Sequence, residues 1–151
     1  MLAAAALHPA PRRVLLIGLG AGVIPRALHR AFPRIEVTAI ELDPVVVEAA
    51  QRSFGFSPAA TDTVQVADGR MAVRARVRAA ERYDLVMIDA FERDYIPEHL
   101  LTVEFLAQIR ELLDRDGLVI ANTWANTALS RYESATYAAA FGDTIDLMTA
   151  G

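Results

Sequence analysis

The sequence contains no cysteine, which excludes disulfide bonds, thiolate metal sites and a cysteine nucleophile. Histidine is scarce: His8, His29 and His99 are scattered without the spacing of a ligand set, so we predict no metal site, although carboxylates alone can hold Mg²⁺. No run reaches the roughly 20 apolar residues of a membrane helix. The opening MLAAAALHPAPRR has no basic residue before its short apolar run, unlike a signal peptide. These absences predict a cytoplasmic protein without membrane contact.

The chain also lacks an excess of positive charge. Its formal net charge of -4 disfavours nucleic acid as the main partner, since phosphate binding usually needs a basic surface. The 151 residues, 54% of them apolar, suffice for one domain with a sizeable core. We predict a single domain over residues 1–151, with a flexible lead-in at 1–12.

Strand-like apolar runs alternate with helix-like runs along the whole chain. Five strands are predicted, at 14–18, 35–42, 63–68, 83–91 and 118–124. Serial βα units imply an α/β fold, a doubly wound and mostly parallel sheet with helices on both faces, as in Rossmann-like methyltransferases. The run TIDLM predicts a sixth strand at 144–148, so we expect the final hairpin of that fold to be incomplete.

Several helix boundaries carry local signals. Asp43 followed by Pro44 is typical of an N-cap with proline at the first helical position. Thr102 is the predicted cap of a helix over 103–117, which Gly117 would end.

The stretch VLLIGLGAG places Gly18, Gly20 and Gly22 just after the first strand. Glycine lets the backbone turn sharply and lets a ligand approach closely. The dinucleotide fingerprint G-x-G-x-x-G would need glycine where Val23 stands, which disfavours a pyrophosphate and a nicotinamide oxidoreductase. S-adenosylmethionine or its decarboxylated form fits better, because neither carries phosphate. A tight turn that binds nothing is the alternative.

Acidic residues end the next two strands. Glu41 closes IEVTAIEL, where a carboxylate can accept hydrogen bonds from both ribose hydroxyls. Asp68 closes VQVAD with Gly69 beside it, where a carboxylate can accept the adenine amino group. Alternatively, Glu41 caps a helix or pairs with an arginine, and Asp68 is the N-cap of the following helix.

The fourth strand leads into a group of carboxylates, Asp89, Glu92 and Asp94. Carboxylates beside a sulfonium suggest a cationic co-substrate, and an amine with a pKa near ~10.4 is protonated at neutral pH. Asp89 can hold the ammonium group and then accept a proton during attack. Alternatively, Asp89 caps the loop, and Glu92 and Asp94 are solvated.

These motifs occur in the order seen in the spermidine synthase family of aminopropyltransferases, which the chain resembles over residues 13–124. The resemblance rests on VLLIGLGAG, AIELDPVVVEAA, VQVADGR and YDLVMIDAF, and on the segment from IPEHLL to NTW. It implies decarboxylated S-adenosylmethionine as donor and a diamine such as putrescine as acceptor. The site residues it implies are Gly18, Gly20 and Gly22 along the donor, Glu41 at the ribose, Asp68 and Gly69 at the adenine, and Asp89 and Glu92 as first and last residues of the D-S-S-D segment.

The sequence also departs from that family. Ala21 stands where its glycine loop carries an aspartate that meets the terminal amine of the donor. The amino-terminal β-domain, which helps to build the family's dimer, is not visible, so a homodimer is an open expectation. A methyltransferase using S-adenosylmethionine and a non-catalytic adenosine-binding module therefore remain alternatives.

Overall fold

Five parallel strands form one sheet in the order β3-β2-β1-β4-β5. The computed structural model describes Met1 and residues 5–91, 96–123 and 128–142. The strands are β1 Arg13–Ile17, β2 Glu36–Glu41, β3 Thr63–Val66, β4 Tyr83–Ile88 and β5 Leu113–Ala121. The helices are α1 Val23–Ala31, α2 Pro44–Ser53, α3 Gly69–Arg78, α4 Val103–Glu111 and α5 Ala128–Phe141, with a 3-10 turn at Glu98–Leu100. The predicted strand at 144–148, and with it the final hairpin, lies outside the described residues.

Helices cover both faces of the sheet. Leu15 and Ile17 of β1 pack in one apolar layer with residues of α3, α4 and α5. Val14 and Leu16 point to the opposite face, as alternate strand residues must, and pack with residues of α1 and α2. The predicted doubly wound α/β fold is therefore confirmed. No helix within the described residues is long and apolar enough to cross a membrane.

The predicted helix caps are present. The Asp43 side chain accepts a hydrogen bond from the Val45 N–H, and Pro44 opens α2. The Thr102 side chain accepts from the Phe105 N–H at the start of α4. Because both signals are local hydrogen bonds between near neighbours, the sequence alone suffices to predict them.

The junction between α4 and β5 differs from the prediction. α4 ends at Glu111 rather than Gly117, and β5 begins at Leu113. The register along β4 jumps between the pairs Tyr83–Leu113 and Leu85–Leu118, so residues 114–117 bulge out. A Cβ on Gly117 would lie 3.0 Å from the Tyr83 carbonyl oxygen. Gly117 therefore permits a close backbone approach in the bulge and does not end a helix.

The predicted lead-in contributes to the core. Ala5 is fully buried in the layer that also holds Leu28 of α1. The N–H groups of Arg12 and Arg13 donate to one carboxylate oxygen of Asp84, at 2.7 and 2.9 Å. This carboxylate joins the start of β1 to the start of β4, at the end of the strands opposite Gly18, Gly20 and Gly22.

Truncating the core should cost far more stability than truncating the surface. We expect Leu16→Ala to lower the free energy of unfolding by about 2–5 kcal/mol, because it leaves a cavity under the sheet. Leu7→Ala is the control, since Leu7 is 61% exposed, and should change stability by less than about 0.5 kcal/mol. Denaturant titrations measure both, and equal losses would contradict this placement of the core.

A buried tyrosine should make the fold sensitive to alkali. Burial, reinforced by the charge of Glu133, raises the pKa of the Tyr137 hydroxyl above its usual value. The folded state then keeps a proton that the unfolded chain releases. The contribution of Tyr137 to the free energy of unfolding is therefore fully present below about pH 10 and is lost as the pH rises beyond it. Burial and a hydrogen bond to Glu81 raise the pKa of Tyr83 in the same sense.

Tyr137→Phe should therefore lessen the alkaline loss of stability without removing it, because Tyr83 remains. The free energy of unfolding, measured between about pH 8 and pH 11, checks this. At pH 7 the variant should match the parent, since the Tyr137 hydroxyl has no hydrogen-bond partner among the described residues. An unchanged alkaline slope would refute the assignment.

Candidate active site

The turn that contains Gly18, Gly20 and Gly22, called the glycine turn below, follows β1 at the point where the strand order reverses. β1 pairs with β2 on one side and with β4 on the other, all in parallel. The carboxyl ends of these strands therefore meet at one edge of the sheet, and ligands of open α/β sheets bind at such a point.

Two of the three turn glycines are required by their close neighbours. All three have positive φ, which side-chain-bearing residues rarely adopt. A Cβ on Gly18 would overlap the carbonyl oxygen of Asp89, so the turn lies directly against the end of β4. A Cβ on Gly22 would lie 2.5 Å from the ring of Phe56. The need for glycine at these two positions is structural.

Gly20 is different, because none of the described residues crowds it. A Cβ there would meet no described atom within 4 Å, and the residue is exposed. The space over this part of the turn is open to a ligand.

Glu41 ties the end of β2 to the turn. One carboxylate oxygen accepts from the Leu19 N–H at 2.9 Å, and the other accepts from the Asp43 N–H at 3.1 Å. These partners are backbone groups rather than the arginine considered as an alternative. An ionised carboxylate offers about four acceptor positions, so Glu41 retains capacity for further donors.

Asp68 acts as the N-cap that the sequence left as an alternative. One carboxylate oxygen accepts from the Met71 N–H at 2.8 Å. The other lies 3.1 Å from Nε2 of His99, which belongs to the 3-10 turn. Arg70 strengthens this link by donating to the His99 carbonyl oxygen at 2.6 Å. These hydrogen bonds link the 3-10 turn to the start of α3.

Gly69 has a packing role in addition to any contact with a ligand. A Cβ on Gly69 would lie 2.9 Å from Cγ2 of Ile17. Its missing side chain lets α3 begin directly against the end of β1.

Asp89 follows β4 and is half-buried. Its N–H donates to the Ile17 carbonyl oxygen at 2.8 Å, which extends the pairing with β1 by one residue. Its Oδ1 accepts from the Asn122 side-chain amide at 2.9 Å. The other predicted catalytic residue, Glu92, lies outside the described residues, as does Asp94.

From the sequence we did not predict that Asn122 and His99 lie at the carboxyl ends of the strands, beside Asp89 and Asp68. Asn122 follows the apolar run of β5, as Asp89 follows that of β4, and this parallel is a usable signal. His99 carries no such signal, because 31 residues separate it from Asp68. Tertiary folding alone brings that pair together.

A depression of about 230 Å³ lies beside α1, and Phe56, His29 and Asp62 are among the residues that line it. Within it, Nε2 of His29 lies 2.8 and 2.9 Å from the two oxygens of buried Asp62. Asp62 also accepts from the N–H groups of Val37 and Ala59, so its charge is well satisfied. We interpret this pair as structural. Among the residues that the structure describes, no group of three or more acidic or histidine side chains is arranged to hold a metal ion.

The sequence matches the family profile of the Spermine/spermidine synthase domain over residues 1–149. The chain belongs to this family. A polyamine aminopropyltransferase of Vibrio vulnificus (strain CMCP6) is 40% identical over 142 residues, which cover 94% of this chain and 48% of that protein. This member of the spermine/spermidine synthase family thus spans about half the length of that relative.

Solved structures agree with the family assignment. A spermidine synthase in complex with the transition-state analogue AdoDATO aligns with a TM-score of 0.75 at 26% identity, covering 89% of this chain and 46% of the other. Human Methyltransferase-like protein 13 in complex with SAH aligns with a TM-score of 0.76, also at 26% identity, covering 89% and 65%. The fold of this chain is thus shared by a spermidine synthase and by a methyltransferase-like protein.

The glycines of the turn should differ in their tolerance of a methyl group. Gly18→Ala should lower the free energy of unfolding by about 2–5 kcal/mol, because left-handed strain adds to overlap with the Asp89 carbonyl. Gly20→Ala should cost about 1–2 kcal/mol, from strain alone. Thermal and denaturant unfolding of both variants measures the difference. Equal costs would contradict the open space over Gly20.

Proposed function

We propose that this chain transfers an aminopropyl group from decarboxylated S-adenosylmethionine to a small amine. One observation carries the proposal: the turn that leaves open space over Gly20 also lies directly against Asp89 and is bonded to Glu41. A donor lying over the turn would therefore have one carboxylate on the β2 side and another on the β4 side. Family membership supports the same reaction class.

The β2 and β3 side suits the nucleoside of the donor. We propose that Glu41 accepts the ribose hydroxyls with the acceptor positions left by its two backbone bonds. Asp68 and Gly69 would meet the adenine, with Asp68 accepting the amino group beside its contacts to α3 and His99. Gly18, Gly20 and Gly22 would line the donor, with only Gly20 free of crowding by the described residues. No phosphate has to be accommodated, which agrees with the G-x-G-x-G spacing.

The β4 side suits a cationic acceptor. We propose that Asp89 binds the ammonium group of the amine and takes up a proton as the nitrogen attacks. The nitrogen forms a bond to the carbon next to sulfur, the carbon–sulfur bond breaks, and the thioether leaves as neutral methylthioadenosine. Since the sulfonium is already a good leaving group, the protein contributes mainly alignment. Glu92 stays a predicted second carboxylate for the same amine, and the cytoplasmic location and homodimer also stay predictions.

A methyltransferase is the second candidate, and Ala21 favours it. A methyl side chain at this position in the turn offers no carboxylate to the terminal amine of a decarboxylated donor. The similarity to human Methyltransferase-like protein 13 points the same way. The nucleoside side of the site would serve both reactions, so the donor and the group transferred distinguish them.

The decisive test incubates the purified chain with each donor and a panel of amines, and detects products by mass spectrometry. Product with the decarboxylated donor supports the proposal, whereas methylated product with intact S-adenosylmethionine supports the second candidate. Calorimetry with both donors and methylthioadenosine addresses binding separately. Binding without product would indicate a non-catalytic module, and absence of binding to all three compounds would contradict an adenosyl site.

Asp89 should be required for turnover and not for donor binding. We expect Asp89→Asn to lower kcat/KM for the amine by about 10²–10⁴-fold, because the amide cannot accept the proton. The dissociation constant of the donor should change little. Asp116→Asn is the control, since this exposed carboxylate lies in the bulge far from the carboxyl end of β5. Steady-state kinetics and calorimetry measure both, and an active Asp89→Asn enzyme would rule out this role.

A further inference from the structure

The ends of β4 and β5 hold two polar side chains in contact. Ile88 and Ala121 form the last register pair between these strands. One residue further along, the Asn122 N–H donates to the Ile88 carbonyl oxygen at 2.9 Å, so the ladder continues into the site. This pairing brings the Asn122 amide to 2.9 Å from Oδ1 of Asp89.

Asp89 has little freedom other than rotation of its side chain. Its N–H is bonded to Ile17, and its carbonyl group lies against Gly18. The bond from Asn122 favours one orientation of the side chain, because it engages one carboxylate oxygen. Within the described residues, Oδ2 accepts no hydrogen bond from the protein, whereas Oδ1 accepts one from Asn122.

The side-chain partner of Asp89 carries no charge. By contrast, several carboxylates in the described part of the chain contact a cationic or protonatable side chain: Glu48 with Arg52, Asp62 with His29, Asp68 with His99, and Glu81 with Arg13. No such partner contacts Asp89 in those regions, where its side-chain partner is a neutral amide. An arginine here would orient the carboxylate but would cancel its charge and repel an ammonium group. Asparagine orients it and preserves the full negative charge.

We infer that Asn122 is a positioning residue: it holds Asp89 in the orientation that receives a cationic amine, and as a neutral amide it does not itself offset the negative charge of that carboxylate. This inference rests on the proposed function and assigns selection of the acceptor to the ends of β4 and β5. We expect Asn122 to contribute little to donor binding, because the proposed nucleoside contacts, Glu41 and Asp68, lie on the other side of β1.

The test uses two replacements that keep the backbone hydrogen bond to Ile88. Asn122→Leu has the same branching, a somewhat larger volume and no donor, whereas Asn122→Gln keeps the amide on a longer side chain. We expect Asn122→Leu to lower kcat/KM for the amine about 10- to 100-fold, as for a misplaced catalytic group, and to leave the donor dissociation constant within about threefold. Asn122→Gln should recover part of the loss. Thr123→Ala, at the exposed neighbouring position, should match the parent.

The outcomes separate the inference from the proposed function. An Asn122→Leu enzyme with parental kcat/KM overturns the inference, and so does a loss of donor binding equal to the loss of turnover. If the unmodified chain yields no product with any donor, the proposed function fails. In that case, calorimetry of putrescine binding to the donor-loaded parent chain and to the two Asn122 variants tests the inference. Weaker binding by Asn122→Leu with recovery in Asn122→Gln supports it. Equal binding by the parent and both variants overturns it.

Discussion

A hydrogen bond from the Leu19 N–H to the Glu41 carboxylate holds the candidate site together. It ties the turn after β1 to the end of β2, while Gly18 lies against Asp89 at the end of β4. The turn is therefore fixed from both sides before any ligand arrives. Pre-organisation of this kind reduces the ordering that a ligand would otherwise impose.

The edge divides into two halves with different electrostatics. On the β2 and β3 side, the carboxylates are engaged by backbone N–H groups and by His99. On the β4 and β5 side, Asp89 meets a neutral amide. The first half suits a neutral nucleoside that is recognised by hydrogen bonds, and the second suits a group that brings its own positive charge. The aminopropyl transfer that we propose would use both halves around one turn.

Prediction from sequence succeeded where the signal was local. The caps at Asp43 and Thr102 are bonds between residues two or three positions apart, and buried β4 was evident from its composition. Prediction failed at residues 112–117, because the chain there reads as the end of a helix. The backbone instead pairs with Tyr83, a residue distant in sequence, and bulges around Gly117. Tertiary pairing overrode the local pattern.

Apolar periodicity and short-range signals were enough to predict the α/β class, the order of the strands along the chain and the acidic residues at the strand ends. The sequence also identified the family. The contacts of each residue depend on the fold: Asp68 caps α3 and contacts His99, Gly18 and Gly22 pack closely against their neighbours while Gly20 is open, and Asn122 donates to Asp89. These contacts join residues far apart in the chain, and only the register and order of the strands bring them together.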